Sequence, residues 1–369
     1  MIASTVALLE TPDYQQIKQN FLAELTFASQ NQPSSLSFMK NLLPNKPLIT
    51  EGIVQGIVIG GTNYILSTEE IKAKGERTIL DRKTGILPTF TDRQSLSHFL
   101  LEHIDQRADA IGLNFGFPIL PVTGSHGQLD GKIIHGTKEH TFTGANDPLG
   151  EMIQALFLQR YHKNIPVSVA NDTVCLLLSG VGTEQGSLIA GTGINIGLRL
   201  DRSEQNTIVN LEIGNFDKFE LSPILKRIDA ESEKPGEQLF EKVTSGKYLS
   251  LYFNEKIKEL GITMLPFETS QELSALSLVE TPSPSSELAR EILMRSAYLV
   301  ATAIATVYEF AKQPSKFSII GEGSMLWNGW QYQEHMKQQF TALGIPAEAI
   351  EIKHVQDSSI NGAIGLVTK

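Results

Sequence analysis

The chain holds one cysteine in 369 residues, so it can form no internal disulfide, and Cys175, set in the apolar run VCLLL, reads as a small buried hydrophobe. Long apolar runs are also missing. Nowhere do about 18 apolar residues follow one another, and MIASTVALLETPDY has no basic leader and too short an apolar stretch for a secretion signal. These absences predict a protein of a reducing cytoplasm, off the membrane. Nor is there an excess of positive charge: 31 Lys and Arg stand against 41 Asp and Glu, a formal net charge of -10 that argues against a nucleic acid as partner. The common nucleotide and metal signatures are lacking too, since no GxxxxGK[ST], GxGxxG or HExxH occurs. His126, His135 and His140 lie close in sequence without metal-ligand spacing and read as loop residues, so no protein metal site is expected.

What is present is an ordinary globular composition, 41% hydrophobic and 20% charged, in a chain long enough for about two domains. Its most informative feature is a pair of glycine turns, IVIGGTNYIL around Gly60 and Gly61 and SLIAGTGINIGLRL around Gly191 and Gly193. In each, a strand runs into glycines, then a Thr and an Asn, then a second strand. Bare amides and a hydroxyl can thereby face one point, as a phosphate requires. Either turn alone reads as an ordinary hairpin.

The hydrophobic pattern predicts a helix over Pro12 to Leu25, strands from Gly52 to Glu69 through the first turn, an amphipathic helix over Ser95 to Arg107 and a buried strand in AIGLNFGFPI. A polar loop holding His126, Asp130 and His135 leads to Thr137 and Lys138. A helix from Pro148 to Tyr161 follows, and strand IPVSVA runs straight into Asn171, Asp172 and Thr173. Beyond the second turn come strand and turn TIVNLEIGNF, helices over Phe240 to Leu260 and Ser286 to Ala311, and strand KFSIIGEGS with a third glycine turn. The two strand-turn-strand units lie about 130 residues apart, which suggests two related halves.

Asp172 is the first candidate for chemistry. A carboxylate at the end of a buried strand sits where open α/β sheets bind ligands and could serve as a general base; it could equally be a helix N-cap. Lys138 is one lysine among many, most of which are solvated. Glu212, between apolar strand residues and a turn, needs partners, and sugar hydroxyls would supply them.

Read together, these segments resemble the hexokinase family, from about Ser35 to the C-terminus. In the family's order, SLSFMKNLLP is similar to its SLKMLP, Ile59 to Asn63 to its LGGTN, Phe115 to Pro118 to its FSFP, and GTKEH to its WTKGF. Ala170 to Val174 resembles VNDTV, Gly191 to Asn195 is GTGxN, Asn210 to Phe216 resembles NxEWGxF, Ser245 to Leu251 resembles SGxYLGE, and Glu322 to Ser324 resembles DGS.

The resemblance implies an α/β protein with the two-domain actin-like ATPase (ribonuclease H-like) fold and a cleft between a small and a large domain. Residues 1–47 would be an N-terminal helix and lead-in segment packing on the large domain, 48–170 the small domain and 171–369 the large domain. It implies transfer of the ATP γ-phosphoryl group to the 6-hydroxyl of a hexose, with Mg2+ carried by the nucleotide. Asp172 would take the hydroxyl proton and Lys138 would neutralise the moving phosphoryl group. Thr137, Lys138, Asn171, Asp172, Asn195 and Glu212 match the family's substrate ligands. Gly60, Gly61, Thr62, Asn63, Gly191, Thr192, Gly193, Gly323 and Ser324 match its nucleotide contacts, with Thr269 a weaker match.

The chain also departs from the family pattern. Val58 stands where an Asp precedes the glycine pair, Ile65 where an Arg is usual, Gly116 for the serine of FSFP and Leu251 for the glutamate of SGxYLGE. The sequence ends at GAIGLVTK, where the family continues into a final helix packing on the small domain. Three readings stay open: an ATP-dependent hexokinase, an inactive or weak homologue that senses a sugar, and a kinase for another sugar such as an amino sugar.

Overall fold

The computed structural model describes residues 9, 12–134, 147–200, 206–346 and 348–369. In chain order the elements are α1 (Tyr14–Ser29), β1 (Met39–Leu42), β2 (Gly52–Ile59), β3 (Asn63–Ile71), β4 (Arg77–Ile86), α2 (Arg93–His103), β5 (Ala110–Phe115), β6 (Ile119–Thr123), β7 (Leu129–Ile133), α3 (Leu149–Tyr161), β8 (Val167–Ala170) and α4 (Asp172–Leu178). There follow β9 (Gly186–Ala190), β10 (Ile194–Arg199), β11 (Thr207–Asn210), α5 (Pro223–Ala230), α6 (Leu239–Thr244), α7 (Gly246–Glu259), α8 (Ser270–Ser277), α9 (Pro284–Phe310), β12 (Phe317–Glu322), α10 (Ser324–Asn328), α11 (Tyr332–Ala342), β13 (Ile350–His354) and α12 (Ser358–Thr368). They form two compact units. The first takes the residues up to Phe38, Leu188–Ile196 and Leu211–Lys353; the second takes Met39–Ser187, Gly197–Asn210 and His354–Lys369.

In the second unit a five-stranded sheet runs β4-β3-β2-β5-β8. β2, β5 and β8 are parallel neighbours, while β3 and β4 return antiparallel. All six residues of β5 are buried, as a central parallel strand covered on both faces requires. Helix α12 lies against β2, β5, β8 and α4, and glycines let it approach backbone to backbone. A β-carbon on Gly112 of β5 would fall 1.8 Å from the Ala363 carbonyl oxygen, and one on Gly362 would fall 2.0 Å from that of Cys175. Cys175 is fully buried on α4, as its apolar run predicts.

The first unit holds β12 and β13 whole, with β9 from Leu188 and β10 as far as Ile196, and in the sheet these strands follow the order β10-β9-β12-β13. The 27-residue α9 is its central helix, opened by a Ser283 capping box and Pro284 in its first turn. Helices α1, α6, α7, α8 and α11 pack on it, and Phe21, Phe216 and Phe240 meet ring to ring beneath α1 and α6. Among the described residues no helix is long and apolar enough to cross a membrane.

Four local expectations change. The stretch read as one helix from Phe240 to Leu260 is two, because Ser245 is extended and the Gly246 N–H donates to the Gly191 carbonyl instead of continuing the helical ladder. The second helix ends at His103, four residues short of Arg107, with Ile104 already extended. Helix α8, opened by a capping box between Thr269 and Glu272, had no sequence expectation. The polar loop before Thr137 contains the β6–β7 hairpin, whose far strand buries Asp130.

That aspartate ties the hairpin to α3. Its carboxylate accepts N–H bonds from Gly131 at 2.7 Å, Gly150 at 2.7 Å and Glu151 at 3.0 Å. Burial outweighs those bonds and raises its pKa to about 6. The folded state therefore holds a proton here that the unfolded chain has released between about pH 4 and 6. The associated stability is fully present below the unfolded value and lost as pH rises through about 6, a change of about 2 to 3 kcal/mol. Asp130→Asn is expected to remove this component. Urea melts of both proteins at pH 4.5, 6 and 7.5 check it, and parallel stability profiles would contradict it.

Candidate active site

Two stretches of the second unit carry expected site residues. The first is the turn between β2 and β3, where the Gly60 N–H donates to the Asn63 carbonyl at 3.0 Å and the Leu87 N–H to that of Thr62 at 2.8 Å. Thr62 and Asn63 are exposed at its tip, with Gly61 half-buried beside them. Gly116 belongs to the same neighbourhood. Its N–H donates to the Ile59 carbonyl at 2.8 Å, and a β-carbon there would lie 3.1 Å from that oxygen and 3.4 Å from Gly60 Cα. The glycine found in place of serine thus lies against the turn itself.

The second stretch follows β8. Asn171 is the N-cap of α4, its Oδ1 accepting the Thr173 N–H at 3.0 Å and an Asn210 amide hydrogen at 3.4 Å. Capping falls to Asn171, so Asp172 is not the N-cap but the first residue of the helix. Its Oδ1 accepts from the Thr173 N–H at 2.7 Å and the Thr173 hydroxyl at 3.1 Å, which fixes the carboxylate's orientation. The parallel strands β2, β5 and β8 place both stretches at their carboxyl ends, the side on which open α/β sheets bind ligands.

Val58 and Ile65, noted separately as departures, are one structural event. They are direct partners across β2 and β3. Both join an apolar cluster with Ile360 and Ala363 of α12, in which Val58 is 8% exposed.

In the first unit the second and third glycine turns stack. The Gly191 N–H donates to the Gly193 carbonyl at 3.0 Å. Gly323, at a φ of 123° open to few other residues, comes so near that a β-carbon on it would lie 2.1 Å from the Ala190 carbonyl oxygen. Ser324 then opens α10. Two amides at the start of α7 reach the same turn, Gly246 to the Gly191 carbonyl at 2.8 Å and Lys247 to that of Thr192 at 3.3 Å.

One residue past that turn, Asn195 meets Glu212. The Asn195 Oδ1 accepts N–H bonds from Ile196 at 2.8 Å and Ile213 at 3.4 Å, and its amide donates to Glu212 Oε1 at 3.4 Å. Glu212 is held at φ 47° and ψ 52°, a left-handed conformation costly for a side chain of this size. Strain of this kind persists where surrounding bonds over-determine it, and Asn195 supplies such bonds.

Thr269 caps α8. Its hydroxyl donates to Glu272 Oε2 at 2.9 Å, and the N–H and O–H bonds from Thr269 hold the Glu272 carboxyl below the usual range. Leu251 is 44% exposed on α7. Thr137, Lys138, His135 and His140 lie outside the described residues. Sequence reasoning passed over Glu241, whose carboxylate lies beside Gly193 and Gly214; an acid in a short helix reads as a solvated charge.

A family model described as Hexokinase matches residues 185–275 and 283–368. The hexokinase of Schistosoma mansoni is 28% identical over 276 residues, covering 65% of this chain and 60% of that protein. Hexokinase-5 of Oryza sativa subsp. japonica is 29% identical over 237 residues, covering 54% of this chain and 45% of that protein. The matches thus span about half of the length of these relatives. Among solved structures, the hexokinase from Schistosoma mansoni complexed with glucose superposes with a TM-score of 0.80 at 21% identity, covering 99% of this chain and 96% of that one. A glucokinase of the ROK family from Streptomyces griseus, in complex with glucose and AMPPNP, gives a TM-score of 0.55 at 16% identity, covering 86% and 98%. The mixed α/β architecture is the two-domain actin-like ATPase fold of these solved structures, and over the matched residues the chain is similar to the hexokinase family.

Proposed function

We propose that this chain transfers the γ-phosphoryl group of ATP to the 6-hydroxyl of a glucose-like hexose. The observation that carries the reading is the Asn195–Glu212 pair. A strained carboxylate, locked by an amide one residue from a glycine turn, sets hydroxyl acceptors next to a phosphate-type loop. Asp172 takes the proton of the 6-hydroxyl as its oxygen bonds to the γ-phosphorus and the bond to the β-phosphate bridging oxygen breaks, leaving ADP. Asn171, Asn195, Glu212 and Thr137 take the other sugar hydroxyls, and Lys138 offsets charge on the moving group. The amides of the glycine turns hold the phosphate oxygens, the kind of positioning on which phosphoryl transfer depends. Among the described residues no three acidic, His or Cys side chains group as a metal cage. The Mg2+ enters as part of the nucleotide substrate. Glucose in the Schistosoma mansoni structure and AMPPNP in the Streptomyces griseus structure support the choice of substrates.

A second reading has its own observation. The apolar Val58–Ile65 pair leaves the strand before the first glycine turn without the charges of the family pattern, which favours a protein that binds a hexose without phosphorylating it. A coupled ADP-release assay over a panel of hexoses with Mg-ATP, run beside calorimetric sugar binding, tests both. Turnover with glucose or a close relative is expected. Sugar binding with no turnover would leave only the sensor.

A further inference from the structure

We propose that the free edge of β13 pairs with the β13 of a second copy of this chain, antiparallel about Ile352, so that the protein forms a two-fold dimer. β13 ends the strand order β10-β9-β12-β13, and among the described residues no strand lies on its far side. Such an edge is a template for another strand. Which groups it offers follows from one bond. The Phe317 N–H donates to the Ala349 carbonyl at 2.7 Å, so Ala349 turns its backbone toward β12. Backbone groups along a strand point to alternate sides, so Glu351 and Lys353 turn theirs to β12 as well, and Ile350 and Ile352 turn theirs outward. An antiparallel copy centred on Ile352 therefore makes a hydrogen-bonded pair with its counterpart, each isoleucine giving one N–H and accepting one.

That register also matches charge. Glu351 falls opposite the partner's Lys353, and Lys353 opposite the partner's Glu351, in the non-hydrogen-bonded positions where facing side chains come closest. Both side chains lie on one face of the strand, since Glu351 Oε2 stands 3.7 Å from Lys353 Nζ within the chain, and both are partly exposed. A lysine on an edge strand ordinarily keeps other strands away. Here a glutamate two residues earlier makes the strand complementary to itself. A groove of about 410 Å³ beside β13 in the first unit adds apolar surface, from Met336 and Phe340 of α11 and from Ile350 and Ile352. Its charges balance, Lys316 and Lys337 against Glu348 and Glu351, on a chain whose formal net charge is -10. Two copies can thus meet here without the repulsion that the net charge brings elsewhere. A five-residue strand with one helix beside it buries less than a standard interface, so the dimer is expected to be weak and concentration-dependent.

The test is sedimentation equilibrium of the full chain from about 2 to 200 μM, the range in which so small an interface assembles. It is run on wild type, Glu351→Lys, Lys353→Glu and the double variant carrying both. The weight-average mass of wild type is expected to rise toward twice that of the monomer. In either single variant both charge pairs across the two-fold become like-charge pairs, and association is expected to weaken at least about tenfold. An equimolar mixture of the two single variants sets lysines against glutamates again and is expected to recover the dimer, as is the double variant. Melting temperatures are taken for each protein, because Glu351→Lys also loses the bond from the Ser318 hydroxyl and the ion pair with Lys316, both at 3.1 Å. A loss confined to those contacts would persist in the mixture. Wild type that stays monomeric throughout overturns the proposal. So do single variants that dimerise as wild type does, which would place the interface on another face, and a mixture no more associated than its components.

Discussion

Asp172→Asn is expected to lower glucose-dependent ADP release by about 10²- to 10⁴-fold, the usual contribution of a general base. Glucose affinity and melting temperature should remain near those of wild type. The reason lies in how the carboxylate is held. The Oδ1 bonds from the Thr173 N–H and hydroxyl, at 2.7 and 3.1 Å, need only an acceptor, and an asparagine oxygen provides one. The helix start does not depend on this residue either, because Asn171 is the cap. What the substitution removes is the capacity to take a proton. Asp172→Ala would lose the Thr173 bonds as well, so a rate loss shared by both variants, with binding kept in the asparagine form, assigns the effect to proton transfer. Turnover within fivefold of wild type in Asp172→Asn would reject Asp172 as the base.

Much of the scaffold around these residues was legible because burial writes itself into the sequence. The strands β2, β5 and β8 are runs of Val, Ile, Ala and Leu with few polar interruptions, and Pro284 with Ser283 marks the start of α9. Where a strand buries neither face the signal vanishes. Nearly all of β4 is exposed, its residues RTILDRKTGI alternate with no period, and only pairing with β3 makes it a strand. The β6–β7 hairpin was hidden differently. Its buried polar residues Gln128 and Asp130 read as loop, although Asp130 is spent on backbone N–H groups twenty residues away. At the site, the glycine turns and the Asn-Asp pair were visible as local patterns. The Asn195–Glu212 bond was not, since it joins residues brought together by the return of the chain, and neither was the room that Gly193 and Gly214 leave beside Glu241.

The same blindness to pairing separated Val58 from Ile65, and their contact decides what a restoration experiment will show. Val58→Asp alone places a carboxylate at an 8% exposed position opposite Ile65 and beneath Ile360 and Ala363, with no cation supplied. An uncompensated buried charge costs about 3 to 5 kcal/mol, so this variant is expected to lose stability of that order at pH 7 and to gain no turnover. The sign with pH follows from burial. The introduced carboxyl has a folded pKa raised above its unfolded value, so the penalty is smallest below about pH 4. It grows as pH rises through the folded value. Ile65 is only partly buried, so an arginine there can keep its guanidinium near water while its stem covers the cluster. In Val58→Asp/Ile65→Arg the two charges face each other directly across β2 and β3. The double variant is therefore expected to be at least about 1 kcal/mol more stable than Val58→Asp. If the missing charges limit catalysis, the double variant alone turns over faster than wild type. Chemical denaturation at pH 4 and 7, with ADP release on all four proteins of the cycle, reads both effects. A Val58→Asp variant as stable as wild type at pH 7 would show that the cluster is open to water. Strict additivity of the two substitutions would show that Val58 and Ile65 do not act as a pair.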